Sequence, residues 1–300
     1  MKVLITGSNG QLGRYLVQNA PEHIGDENIN LICPNKSQLD LSDTKSCELF
    51  LNKSRPDWII NSAAFTNVEQ AENLSTLTNN INTIAPKIFS EWILENGGNI
   101  LQISTDYVFD GLKSSPYLTT DKTNALSIYG RSKESAEKII SKLLFRSNQA
   151  KILRSSWLIG PNQHNFVHKI MNLLKDKERL EVVYDQVGCP TNIIYLSIIC
   201  WKILIFKEEG VSFPNLLHWS DSGVASWFDV AQCVSEIGYD LGLLSSPAKL
   251  IPVKSNQYPQ IAKRPAFSLL DISQTIFNLR MEPYYWRSSL GELLKIKLNQ

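Results

Sequence analysis

Short apolar runs alternate along the first half of the chain with stretches whose apolar residues recur every three or four positions. Val3-Leu4-Ile5-Thr6, Ile29 to Cys33, Trp58-Ile59-Ile60, Asn99-Ile100-Leu101-Gln102-Ile103 and Ile152-Leu153-Arg154 predict strands. Between them, Leu12, Leu16 and Ala20, then Cys47, Phe50 and Leu51, then Asn82, Ala85, Phe89 and Ile93 predict helix faces, and Ala136, Ile140 and Leu143 continue a helix that opens near Tyr129. Strands that alternate with helices predict the α/β class, a doubly wound parallel sheet (Rossmann) whose ligands lie beyond the carboxyl ends of the strands.

The pattern becomes less orderly further on. Phe166, Ile170, Leu173 and Leu174 predict a helix, Val182-Val183 a strand, and Ile193 to Phe206 a buried helix. Leu216 to Trp219, Lys249 to Ile251 and a helix around Trp227 to Ala231 are expected to build a smaller α/β substrate-binding domain over the cleft. No Gly/Ser linker separates the halves, so the two are expected to interleave. The NAD(P)-binding domain is expected over 1–155, with about 185–215 returning to it, and the substrate-binding domain over most of 156–300.

Composition narrows the classes. A 43% hydrophobic content in 300 residues is ample for a sizeable core, and 30 basic against 29 acidic residues, without a basic block, argue against nucleic acid as a partner. The five cysteines are scattered and include no Cys-x-x-Cys pair, so neither a disulfide framework nor a metal site is signalled, and a reducing, cytoplasmic setting is expected. Met1 to Ile5 runs into glycines before a signal-peptide core forms, and no apolar run reaches the roughly 18 residues of a membrane helix. His164 and His168 have helical metal-clamp spacing but no evident third ligand, and are read as structural. Trp201, Trp219, Trp227 and Trp286 are read as core or interdomain packing, and Cys189 as a small apolar filler.

Three features carry chemistry. The first strand ends in Gly7-Ser8-Asn9-Gly10-Gln11-Leu12-Gly13, a glycine turn opening a helix, where backbone N–H groups can receive a pyrophosphate. Its Gly-x-x-Gly-x-x-Gly spacing is one residue longer in the first gap than the usual fingerprint. The second strand is followed by Pro34, Asn35, Lys36 and Ser37 with no acidic residue to grip two ribose hydroxyls, which favours NADPH, with NADH still open. Thr105 lies just past the end of its strand, while Tyr129 and Lys133, four residues apart, share one helix face. An ammonium beside a phenol favours the phenolate, and a strand-end hydroxyl can bond a carbonyl oxygen. Together with a nicotinamide these residues describe a carbonyl reductase.

Ser104 to Gly111, Tyr129 to Lys133, Arg154 to Trp157, Asp185 to Thr191 and Arg264-Pro265 are similar to the motifs of the dTDP-4-dehydrorhamnose reductases, a branch of the extended short-chain dehydrogenases/reductases. The resemblance spans nearly the whole chain. It implies reduction of dTDP-4-dehydro-6-deoxy-L-mannose to dTDP-L-rhamnose, with Thr105, Tyr129 and Lys133 catalytic and Lys133 also touching the nicotinamide ribose. It implies cofactor contacts from Gly10, Gln11, Leu12, Asp40, Leu41, Ala64, Phe65, Thr66, Tyr129 and Lys133, besides the turn glycines Gly7 and Gly13. Substrate contacts are implied from Thr105, Asp106, Tyr129 and Trp157, with Arg264 as a diphosphate ligand or as packing for its own proline turn. Ser62 and Phe65 depart from the family pattern. Arg14-Tyr15 stand where some members carry the acidic residues of a magnesium-linked dimer, so that route to dimers is not expected, and a monomer or homodimer remains open. Two other readings stay open: reduction of a different nucleotide-linked 4-ketohexose, and a non-catalytic cofactor-binding subunit such as the partner of methionine adenosyltransferase.

Overall fold

Val3, Leu4 and Ile5 are fully buried, as are Ile59 and Ile60 on a neighbouring strand. Such continuous apolar runs suit a parallel sheet covered on both faces, where each buried side chain contributes about 1.5–3 kcal/mol. The structure is a computed structural model, and it describes residues 1–161 and 165–298. Six parallel strands form the central sheet: β1 (Lys2–Thr6), β2 (Asn30–Ile32), β3 (Trp58–Asn61), β4 (Asn99–Thr105), β5 (Ala150–Ser155) and, late in the chain, Leu216–Trp219. Their spatial order is Leu216–Trp219, β5, β4, β3, β1, β2. The order reverses between β1 and β3, and the glycine turn falls at that switch point.

Helices cover both faces. On one, α1 (Gln11–Gln18) packs against a late helix, Ile193–Glu208, pinned by bonds from Trp201 Nε1 to the Leu16 carbonyl (2.8 Å) and from Asn19 Nδ2 to Ser197 Oγ (2.7 Å). On the other lie α2 (Thr44–Ser54), α3 (Ala85–Asn96) and α4 (Ile128–Leu144), sharing a core with Leu4, Ile59, Ile100 and Ile152. A separate apolar cluster joins α5 (Phe166–Asp176), β6 (Arg179–Val183) and the helix Trp227–Asp240, with Lys249–Val253 paired to β6 in parallel.

Two expectations need correction. Leu216 to Trp219 is no part of the smaller unit: it pairs with β5 from Leu216↔Ile152 to Trp219↔Ser155 as the edge strand of the central sheet, and Leu217, His218 and Trp219 are all buried, as a parallel strand covered on both faces requires. Thr105 does not follow its strand; it is the last residue of β4, paired with Ser155. Among the described residues no helix is long and apolar enough to cross a membrane. His164 lies outside the described residues, and His168 shares a contact with Asn172 Nδ2 at 3.2 Å.

Candidate active site

The turn after β1 is built by close approach. Gly7 has φ +67°, and a methyl group there would stand 2.9 Å from the Ala63 backbone; one at Gly13 would stand 2.0 Å from the Gly7 carbonyl. Only glycine lets the first turn of α1 pack on the end of β1. Gly10 caps α1 without a side-chain bond, and a helix N-terminus of this kind presents backbone N–H groups to an anion. A methyl group on Gly10 would touch the Gly7 carbonyl at 3.0 Å and otherwise stand in open space. That space belongs to the larger of two adjoining cavities. One, of about 310 Å³, is lined by Gly7, Pro34, Asn35, Lys36, Asp40, Leu41, Ala63 and Ala64; the other, of about 460 Å³, by Gly7, Gly10, Gln11, Leu12, Ala63, Ala64 and Thr66 among others. They share Gly7, Ala63 and Ala64, making one elongated slot with a positive helix end at its middle, a form that fits a dinucleotide. Asp40 holds the Ser42 N–H and hydroxyl, which keep its carboxyl below the usual range. Phe65 lines neither cavity; its backbone is held by Asn82.

The larger cavity also holds Thr105, Asp106, Tyr129, Lys133 and Trp157. Ser127 caps α4 by accepting from the Gly130 N–H (3.1 Å), so Tyr129 sits in the first turn. A methyl group on Gly130 would lie 2.3 Å from the Tyr107 carbonyl; glycine there brings the first turn of α4 against the end of β4. Thr105 Oγ1 donates to Asp106 Oδ1 at 3.1 Å and accepts from the Tyr107 N–H at 3.2 Å, and the rings of Tyr107 and Tyr129 meet edge to face at 5.9 Å. Burial of the Tyr129 hydroxyl pushes its phenol up to about 12, against the polar interaction with Thr105, which lowers it. Burial likewise pushes Lys133 down to about 8 and the Asp106 carboxyl up to about 6. Lys133 Nζ donates to the Ile103 carbonyl at 2.7 Å, which ties its side chain to the strand backbone. Tyr129, its phenol pushed up to about 12, stands protonated at neutral pH, which is the form a proton donor needs.

A third cavity, of about 730 Å³, adjoins the second through Thr66, Val68, Tyr107 and Trp227, and Arg264 lies on its wall. Arg264 is not free to pack on its proline turn alone. Its Nη2 pairs with Glu69 Oε1 at 2.6 Å, and its Nη1 donates to Gln260 Oε1 at 2.8 Å and to the Ala262 carbonyl at 3.4 Å. Trp157 occupies a left-handed backbone conformation (φ +47°), a strain of order 1 kcal/mol or more that clusters at functional sites. Its indole stacks on Trp227 at 3.7 Å and 10°, and a methyl group on Gly188 would lie 2.9 Å from it. The Asp185 to Thr191 segment thus frames Trp157: the Thr191 N–H donates to the Trp157 carbonyl (3.1 Å), and Ser156 Oγ to that of Cys189 (2.7 Å).

Two residues do more than the sequence assigned to them. Trp227, taken as packing, lines both the second and third cavities and backs Trp157. Asn82, taken as part of an apolar stripe, is buried in a π-helical turn (Asn80–Ile84), where it binds the Phe65 N–H (2.8 Å), the Phe65 carbonyl (3.1 Å) and Ser132 Oγ (3.0 Å), joining the Ala64–Thr66 loop to α4. An amide in an otherwise apolar stripe was its only signal. Among the described residues no cluster of three or more metal-ligating side chains occurs.

Over residues 1–298 the chain matches the family described as the RmlD substrate binding domain. It is 32% identical over 294 residues to dTDP-4-dehydrorhamnose reductase of Aggregatibacter actinomycetemcomitans, covering 97% of this chain and 98% of that one. Among solved structures, it superposes on a dTDP-4-dehydrorhamnose reductase from Clostridium acetobutylicum with a TM-score of 0.86 at 32% identity, the whole of both chains being covered. On the Bacillus anthracis enzyme, solved in complex with NADP, the TM-score is 0.85 at 29% identity, covering 98% of this chain and 99% of that one.

Proposed function

The chain belongs to the dTDP-4-dehydrorhamnose reductase family, and from that premise we infer that it reduces dTDP-4-dehydro-6-deoxy-L-mannose to dTDP-L-rhamnose with NADPH. The observation that carries the reading is the continuity of the three cavities: a dinucleotide slot, a pocket holding Thr105, Tyr129 and Lys133, and an aromatic cleft with Arg264 on its wall.

When bound, NADPH supplies the hydride that becomes the new C4–H bond. We assign Gly7, Gly10, Gln11, Leu12 and Gly13 to its pyrophosphate, Asp40 and Leu41 to its adenosine end with Lys36 near the 2′-phosphate, and Ala64, Phe65, Thr66 and Lys133 to its nicotinamide half. Tyr129, protonated at neutrality, donates its proton to the C4 oxygen, while the Thr105 hydroxyl hydrogen-bonds that oxygen and the Tyr129 phenolate left behind. The Lys133 ammonium lowers the cost of that phenolate. Trp157 offers the sugar a flat apolar wall backed by Trp227, Asp106 borders its oxygens, and Arg264, exchanging Glu69 for the substrate, takes a diphosphate oxygen pair.

We further propose that residues 1–155, with about 185–215, serve the cofactor and most of 156–300 the sugar nucleotide. Work in the cytoplasm, as a monomer or homodimer, fits the five free cysteines.

The test is a panel of nucleotide-linked 4-ketohexoses with NADPH. NADPH oxidation is expected with the dTDP-linked substrate, yielding the L-rhamno configuration at C4. In Tyr129→Phe, kcat is expected to fall roughly 100-fold or more while NADPH binding persists. A chain that binds NADPH tightly yet oxidises none with any of these sugars refutes the reading.

A further inference from the structure

Tyr129, Lys133 and Glu137 recur at four-residue steps on α4 and so share one face of that helix. Glu137 has no place in the chemistry above, yet its carboxylate is buried and touches both of the strands beneath the site. Arg154 of β5 grips it in a fork, Nη2 to Oε2 at 2.6 Å and Nε to Oε1 at 2.9 Å, and Ser104 of β4 donates to Oε1 at 2.5 Å. Ser104 is flanked by the two residues that matter on that strand: Ile103, whose carbonyl holds Lys133 Nζ, and Thr105. The far side of Arg154 is fixed as well. Its Nη1 lies 3.3 Å from His218 Nε2, and its guanidinium lies 5.0 Å from the Phe109 ring centroid.

We propose that the buried Glu137–Arg154 pair, with Ser104, is a positioning device for the reaction, holding α4 in register with the end of β4 so that Tyr129, Lys133 and Thr105 converge. The proposal rests on the reductase reading. A buried ion pair is a weak route to stability, since well-packed apolar residues often serve as well; its attested use is to specify register. Here the register it fixes is the one the three chemical groups depend on, and each of its polar contacts ends on an element that carries or supports one of them. The negative charge of Glu137 also favours the ammonium of Lys133 against burial.

The pair variant Glu137→Met/Arg154→Met separates positioning from mere support, because it removes both charges together and leaves neither stranded. It is expected to fold, judged by thermal unfolding, and to keep an NADPH Kd and substrate KM within about threefold of the parent. Its kcat is expected to fall roughly 10- to 100-fold, the cost of a small misplacement of catalytic groups. Ser104→Ala, a smaller change that loses one contact, is expected to fold normally and lose a few-fold in kcat alone. A folded pair variant with the parent kcat overturns the proposal. If the pair variant fails to fold, Ser104→Ala decides, and an unchanged kcat there overturns it equally. Failure of the parent chain to turn over any 4-ketosugar would instead remove the reductase reading, and the proposal with it.

Discussion

At the scale of single residues, the proposed chemistry turns on two groups whose ordinary acidities are displaced by burial. Tyr129 is pushed up to about 12 and Lys133 down to about 8. The first stays protonated throughout the working range; the second is charged below about 8 and neutral above it. Since the charged form is the one that stabilises the Tyr129 phenolate, kcat/KM is expected to hold near neutrality and to fall as pH rises through about 8. A pH profile flat to the point of alkaline unfolding would contradict this. That Thr105, Tyr129 and Lys133 line one cavity was legible in the chain because their placement is local: one strand end and one helical turn. Glu137 was not, since a carboxylate on a helix gives no sign that a guanidinium seventeen residues later will close on it.

At the scale of elements, the site is made by the approach of α4 to β4. Strand and helix alternation announced both, but the distance between them is set by Gly130, where any side chain meets the Tyr107 carbonyl. Gly130→Ala is expected to push the first turn of α4 off the strand end and lower kcat roughly tenfold or more, with NADPH affinity changed far less. Steady-state kinetics beside a cofactor titration would check it, and equal losses in both would refute it. The π-helical turn that carries Asn82 escaped the sequence reading for a related reason. Helical periodicity registers that a stretch is helical, and a single wide turn that aims one amide at the Phe65 backbone leaves that periodicity almost unchanged.

At the scale of the whole molecule, the cleft is assembled from segments far apart in the chain. The expected sheet was right in class, yet Leu216 to Trp219 was misassigned, because a short apolar run carries no information about which sheet will take it. The same lack of long-range information hid Trp227, whose partner Trp157 is seventy residues away. Trp227→Ala is expected to raise the substrate KM roughly tenfold, through loss of the stack and of the wall behind it, while the NADPH Kd stays near that of the parent. A KM that does not move would return Trp227 to a packing role.

The stacked pair has a practical consequence. Two indoles held nearly parallel at 3.7 Å in an asymmetric cleft, with one fixed by a left-handed backbone, form a natural chromophore dimer. Its near-ultraviolet dichroism and its emission depend on what lies against the exposed ring face, so replacing water there by a sugar changes both. On the proposed substrate site the pair would serve as an optical gauge of substrate occupancy, readable without a label and without turnover.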